Sequence, residues 1–253
     1  MEVTRVALVT GAGSATGIGF ASARALVGAG CSCVLVATSD RVHDRAAELG
    51  HAAAGVVADL TDPRAAAAAV DTAVGSFGGL DIVVNNAGMA VLGDLDPDAE
   101  VAVMTDAQWH GILERNLTTC FHVTRAAMAH LLGSPTARVV NVASTTGAVM
   151  AMPAQSAYAA SKAGMVGFTR ALALELAPTG GTANAVAPGW ITTGSQTATE
   201  EAEGRATPLA RSGTADEVGS VVAYLASVGA SYVTGQCVVV DGGNSVMESR
   251  RGG

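Results

Sequence analysis

Seven short apolar runs alternating with six longer helix-compatible stretches constrain what this chain can fold into more than any single motif does. The runs fall at 5–9, 33–37, 55–58, 81–85, 138–142, 182–187 and 237–240, each of strand length. Between them lie amphipathic or Ala-rich stretches near 17–29, 41–49, 63–77, 106–132, 155–177 and 214–227. Such alternation predicts βαβ units with right-handed crossovers, hence a parallel sheet covered on both faces. No internal repeat or low-complexity linker interrupts it, and 253 residues suit one domain better than two. The expected fold class is therefore α/β: a single doubly wound domain over 1–253, with a seven-stranded parallel sheet and helices on both faces.

Turn residues punctuate the pattern where function is expected. Pro63 suits the first turn of its helix, with Thr61 or Asp62 as cap. Pro188-Gly189 ends the sixth strand and opens a stretch, about 190–211, rich in Thr, Gly, Glu and Ala and without periodicity. A segment of that kind after the carboxyl end of a strand reads as a lid over a ligand crevice.

Composition narrows the function classes. A net charge of −8 argues against nucleic acid and anionic membrane as partners, because both require a basic face. No apolar run approaches the length of a membrane span. Cys31, Cys33, Cys120 and Cys237 have neither zinc-ligand nor redox spacing, so they read as small buried residues and no metal is expected. Met1 leads almost directly into the first strand-length run, and the expected compartment is the cytoplasm.

The first strand runs into Thr10-Gly11-Ala12-Gly13-Ser14-Ala15-Thr16-Gly17-Ile18-Gly19, and a helix-like stretch follows. A tight glycine turn there lets backbone N–H groups and a helix N-terminus meet a pyrophosphate. Asn85-Asn86-Ala87-Gly88 follows the fourth strand, and Tyr158-Ala159-Ala160-Ser161-Lys162 lies on the helix after the fifth. A spacing of four puts Tyr158 and Lys162 on one helix face, where an ammonium can stabilise a phenolate. Taken in order, these segments resemble the short-chain dehydrogenase/reductases, from Val3 to about Gly243. The resemblance implies a Rossmann-type domain that moves a hydride between NADP(H) or NAD(H) and a ketone or secondary alcohol. Five residues separate Gly11 from Gly17, where the family commonly has three. Enoyl-thioester reductases of the superfamily also have longer loops, but their tyrosine-to-lysine spacing is wider than the one here.

From the resemblance come the expected site residues. The acid/base set is Asn116, Ser144, Tyr158 and Lys162. Ser144 is preferred over Thr145 for its place relative to the fifth strand and Gly147, although Thr145 has the commoner spacing to Tyr158. Asn116 is expected to kink its helix and hold a water near Lys162; alternatively it bonds its own helix backbone. Cofactor contacts are expected from Gly11, Ser14, Gly17, Ile18, Gly19, Thr38, Arg41, Asp59, Leu60, Asn86, Ala87, Gly88, Tyr158, Lys162, Pro188, Gly189, Ile191 and Thr193. Asp59 stands where the family approaches adenine, and serves equally well as a helix cap. Thr38 stands where NAD-preferring members carry a carboxylate, and Arg41 nearby can pair with a 2′-phosphate, so NADP(H) is favoured over NAD(H). Asp40 beside it and the lack of a basic residue in the glycine loop weigh the other way.

For substrate, the nearest resemblance is to 3-oxoacyl-carrier-protein reductases and related ketoreductases. Arginines of that subgroup dock an acidic carrier, and here Ala129 and Leu174 stand in their places. The expected partner is therefore a free small or medium ketone or secondary alcohol, with a 3-oxoacyl thioester as the alternative. A non-catalytic dinucleotide-binding regulator ranks below both, since the full acid/base set is kept. The segment 93–103, with Asp94, Asp96, Asp98 and Glu100, is longer than the family commonly shows; it shapes the pocket entrance or is a solvated loop. Met89, Ala148, Met150, Met152 and Trp190 are candidates for pocket lining or simple packing. The resemblance further implies a homotetramer, with contacts near 105–132 and 155–177.

Overall fold

In the computed structural model, residues 4–88 and 99–248 are described. The elements are β1 (Val6–Thr10), α1 (Ile18–Gly28), β2 (Ser32–Ala37), α2 (Arg41–Leu49), β3 (Ala53–Val57), α3 (Pro63–Phe77) and β4 (Ile82–Asn85). Then follow α4 (Asp106–Leu113), α5 (Thr119–Gly133), β5 (Arg138–Val142), the single turn α6 (Thr145–Ala148) and α7 (Ser156–Leu176). The chain continues through β6 (Thr182–Pro188), β7 (Ile191–Thr192), α8 (Ala198–Arg205), β8 (Gly213–Thr214), α9 (Ala215–Ala226) and β9 (Cys237–Val240). Seven strands form one sheet in the order β3-β2-β1-β4-β5-β6-β9, with every pairing parallel.

The sheet is buried on both faces, and the period-2 geometry of a strand divides its side chains between two cores. On one side Val6, Leu8, Val34, Val36, Val83 and Val139 meet α3, α5 and α7 through residues such as Val70, Val123, Leu131 and Leu176. On the other, Ala7, Val9, Leu35, Ile82, Val84 and Val140 meet α1, α2 and α9 through Phe20, Leu26, Val42, Val218, Val222 and Leu225. Neighbours such as Val6 and Ala7 thus serve opposite layers, and this is why β1 is buried along its whole length. Cys33 lies fully buried in the second core and Cys31 joins it from just ahead of β2.

Two stretches differ from the sequence reading. The helix expected over 106–132 is divided by a π-helical turn, Glu114–Thr118, centred on Asn116. One extra residue per turn leaves the apolar pattern almost unchanged, so periodicity does not reveal it. The stretch 190–211 is not irregular throughout: α8 lies within it, and β7 pairs with β8 in a small parallel ribbon. Met89 and residues 93–98, with Asp94, Asp96 and Asp98, lie outside the described residues. No helix among the described residues is long and apolar enough to cross a membrane.

Candidate active site

β1 and β4 are neighbours, with Val9 opposite Val84, yet the chain leaves β1 toward β2 and leaves β4 toward β5. The connections therefore part above the carboxyl ends of β1 and β4, which opens the crevice where doubly wound sheets take their ligands.

The glycine loop and the segment after β4 are built as one unit. Thr10 Oγ1 accepts hydrogen bonds from the backbone N–H groups of Asn86 at 3.0 Å and Ala87 at 2.9 Å. Asn86 Nδ2 in turn donates to the carbonyls of Thr10 at 3.0 Å and Gly11 at 3.1 Å. Gly11 has φ +68°, and a Cβ there would lie 2.7 Å from Asn86 Nδ2, so only glycine fits the turn. The loop start is pinned to β2 by Ala12 N–H to Val36 C=O at 3.0 Å. Gly17 caps α1 with no side-chain hydrogen bond, and the first turn carries no acidic residue. The N–H groups of this first turn, at Ile18 and Gly19, and the helix dipole thus suit an anion. Ser14 C=O accepts from Gly17 N–H at 3.1 Å, which places Ser14 at the base of a turn beside this terminus. A glycine cradle, an uncapped helix end and a crevice at the switch point together fit a dinucleotide.

At the end of β2, Thr38 is exposed and Arg41 opens α2, its Nε donating to Ser39 Oγ at 3.3 Å. Gly13 lies against this strand end, where a Cβ would sit 2.9 Å from Ala37 Cβ. Asp59 is exposed after β3 and accepts from Thr61 N–H at 3.0 Å and Thr61 Oγ1 at 2.8 Å. Those two bonds hold its carboxyl below the usual range. The cap of α3 is Asp62, which accepts from Arg64 N–H at 2.8 Å, so Asp59 is left to an Asx turn at the crevice rim. Leu60 is buried beside it.

Tyr158 and Lys162 lie on one face of α7, with the Lys162 ammonium 5.7 Å from the phenol ring centre. Ser144, the N-cap of α6, hydrogen-bonds the Tyr158 side chain, whereas Thr145 is buried. Gly147 holds this arrangement. Its φ is +94°, and a Cβ there would overlap the Ala159 carbonyl, so the loop after β5 lies directly on the backbone of α7. Lys162 is 3% exposed and donates to Val142 C=O at 3.0 Å. Burial lowers its pKa to about 8. Burial also raises the Tyr158 pKa, opposed by the Ser144 hydrogen bond and reinforced by the Glu200 carboxylate of α8.

Asn116 is buried in the π turn, and its Nδ2 donates to Ile112 C=O at 2.9 Å. Its Oδ1 faces Gly88, whose position is also close to Lys162 Nζ; a Cβ on Gly88 would lie 3.4 Å from that ammonium. Asn116, Gly88 and Lys162 therefore converge. Beyond β6, Gly189 N–H donates to Val240 C=O at 3.0 Å and fixes Pro188-Gly189 to β9. Ile191 is buried, and Thr193 Oγ1 lies 3.1 Å from Ser195 Oγ.

Several residues that shape the site are not among the expected site residues. Thr10 organises two segments, and its sequence mark is its place at the strand end, at the head of the glycine loop. Met104 packs beside Tyr158 on Ile112 and Ala157. Asn85 Nδ2 donates to Thr124 Oγ1 at 2.9 Å and Asn141 Oδ1 at 2.8 Å, and Asn141 Nδ2 to Thr169 Oγ1 at 2.8 Å. These bonds tie β4, β5, α5 and α7 together beneath the crevice. Polar residues at core positions of strands were the available signal for them.

Comparison with known proteins agrees with this geometry. A family model of the short-chain dehydrogenases, described as "Enoyl-(Acyl carrier protein) reductase", matches residues 11–245. The chain is 37% identical over 244 residues to a 3-oxoacyl-(acyl-carrier-protein) reductase of Vibrio cholerae, covering 94% of this chain and 96% of that protein. It is 41% identical over 248 residues to nodulation protein G of a Rhizobium species, covering 96% and 98%. With the oxidoreductase UcpA of Escherichia coli O157:H7 it shares 36% identity over 263 residues, covering 97% and 96%. Fold, crevice and relatives converge on one conclusion: the chain belongs to the short-chain dehydrogenase/reductase family, the NAD(P)-dependent oxidoreductases that act on CH–OH and C=O groups.

Proposed function

We propose that this protein reversibly reduces a free ketone of small or medium size to a secondary alcohol, with NADP(H) preferred over NAD(H). The observation that carries the reading is the Ser144–Tyr158 hydrogen bond with Lys162 one helical turn away, at the mouth of a dinucleotide crevice. In the reductive direction the substrate oxygen takes its place between Ser144 Oγ and the Tyr158 hydroxyl, which stabilise the charge developing on it. A nicotinamide cofactor held in the crevice by the glycine loop and Lys162 would supply the hydride that the carbonyl carbon takes up. Tyr158 gives its hydroxyl proton to the oxygen, completing the C–H and O–H bonds of the alcohol. Lys162 holds the cofactor ribose and favours the phenolate that remains; its pKa near 8 suits a group that passes a proton near neutrality. Asn116, opposite Lys162 across Gly88, holds the water through which the proton returns.

The NADP(H) preference rests on the end of β2. Thr38 brings no charge against a 2′-phosphate, and Arg41 lies one residue beyond Asp40 with its guanidinium at Ser39. We read 1–253 as one catalytic domain, with 190–211 as its lid. The oligomer we propose is a homotetramer joined through α4, α5 and α7, which leave Phe121, Leu132 and Leu174 exposed on the isolated chain.

The names of the Vibrio cholerae relative and its kin favour a second reading, a 3-oxoacyl thioester on a carrier protein. Against a carrier stand the exposed, uncharged Ala129 and Leu174 and the net charge of −8. Loss of NADPH absorbance with free ketones, 3-oxoacyl-CoA and 3-oxoacyl-carrier protein decides between them. Turnover of free ketones that disappears in Tyr158→Phe supports the proposal. Turnover on the carrier-bound substrate alone supports the second reading, and cofactor binding with no turnover on any of them refutes both.

A further inference from the structure

The glycine loop is longer than the family's, and the added length is folded in a definite way. Ser14 C=O accepts from Gly17 N–H at 3.1 Å, closing a turn whose tip, Ala15-Thr16, is exposed. From that tip Thr16 Oγ1 accepts a hydrogen bond at 2.8 Å from the backbone N–H of Gly194, across 178 residues of chain. The contact is close on both sides, since a Cβ on Gly194 would sit 3.0 Å from Thr16 Oγ1 and 4.0 Å from Ser14 Oγ. A loop with the family's three-residue gap has two residues fewer from which to build such a turn.

The rest of the segment is anchored at its root. Gly213 N–H donates to Trp190 C=O at 2.9 Å, Gln196 Nε2 to Ser212 Oγ at 2.8 Å, and Arg211 Nη2 to Glu217 Oε1 at 2.6 Å. The first two bonds hold Trp190 and Gln196 against 212–213, and the third braces the second stretch against the start of α9. The Thr16–Gly194 bond is different. It joins the segment to the opposite wall of the crevice, beside the uncapped N-terminus of α1.

We propose that Thr16 is a positioning residue that clasps the lid to the glycine loop across the pyrophosphate end of the cofactor crevice. The inference rests on the dinucleotide-binding role proposed above. A dinucleotide leaving that end must part the clasp, so the hydroxyl slows release and makes little difference to the chemistry. One hydrogen bond at an exposed site is worth about twofold to tenfold in an equilibrium or rate constant.

Thr16→Val removes the hydroxyl and keeps the shape, and Thr16→Ser restores the hydroxyl. Thr16 is exposed, so both variants are expected to melt with the wild type. Two readouts apply. Stopped-flow displacement gives the NADPH dissociation rate, and brief trypsin digestion without cofactor reads the lid through cleavage after Arg205 and Arg211, both exposed. The expected result is dissociation and cofactor-free lid cleavage each about twofold to tenfold faster in Thr16→Val, and near wild type in Thr16→Ser. Unchanged rates in Thr16→Val, or equal losses in Thr16→Ser, overturn the clasp. If the wild type binds neither NADPH nor NADH, the dinucleotide role fails, while the cleavage rates still report on the clasp alone.

Discussion

Lys162 places an ammonium where burial opposes its charge, and the size of that opposition can be measured. Its pKa falls from 10.5 to about 8 because the side chain is buried, a fall only partly opposed by the neighbouring Cys120. In the unfolded chain the same amine keeps its proton up to the ordinary value, so between pH 8 and 10.5 the unfolded state binds more protons. Stability contributed by this site therefore rises with pH through that window. At pH 7 the buried charge costs roughly 3 kcal/mol, and at pH 9.5 roughly 1 kcal/mol. Lys162→Met removes the charge and keeps most of the volume, but it leaves the Val142 carbonyl without its donor, a loss of about 1 kcal/mol. The variant should be more stable than the wild type by about 2 kcal/mol at pH 7 and nearly equal to it at pH 9.5, while losing activity. Urea unfolding of both proteins without cofactor at the two pH values gives the comparison. Taking the difference cancels the titration of thiols such as Cys33, whose pKa burial also raises. A variant less stable than the wild type by the same amount at both pH values would show that the ammonium is solvated and the argument unsound.

Two further perturbations test the geometry. Gly147→Ala forces a Cβ toward the Ala159 carbonyl from a residue at φ +94°; a cost of about 2–3 kcal/mol should lower Tm by roughly 5–10 °C and reduce kcat, because the Ser144 loop must lift from α7. A melting curve within a degree of wild type would mean that the loop tolerates the shift. Arg41→Ala should raise the KM for NADPH about tenfold and leave that for NADH unchanged, and equal effects on both cofactors would remove Arg41 from the 2′-phosphate.

The fold was legible because its strands and helices carry strong, separate signals. Every strand of the main sheet lies within a residue or two of its expected run, and the crossovers follow from their alternation. What was missed has physical reasons. The π turn around Asn116 changes hydrogen bonding without changing which residues are apolar. Helix α8 has little core to face, with only Gly204 buried, so hydrophobic periodicity is silent over it. A local signal was present nonetheless: Thr197 and Glu200 form a capping box, the same pattern that Thr214 and Glu217 form at the start of α9. Reading caps where periodicity is absent finds the helix inside 190–211.

The catalytic candidates show a sharper limit of spacing arguments. A spacing of four correctly places Tyr158 and Lys162 on one helix face, and the sequence reading has the ammonium, together with an oxidised nicotinamide, lower the phenol pKa. In the folded chain Lys162 is turned to the Val142 carbonyl, and desolvation raises the Tyr158 pKa. Among the described residues the hydrogen bond from Ser144 favours the phenolate, and Glu200 works against it. Sequence distance reports which groups can meet; the balance of desolvation and charge depends on β5, α6 and α8, which approach Tyr158 from remote parts of the chain. In the proposed mechanism the missing stabilisation arrives with the positive charge of the oxidised nicotinamide. On that proposal the phenol would be an effective base only with the oxidised cofactor bound, which would couple alcohol oxidation to cofactor binding.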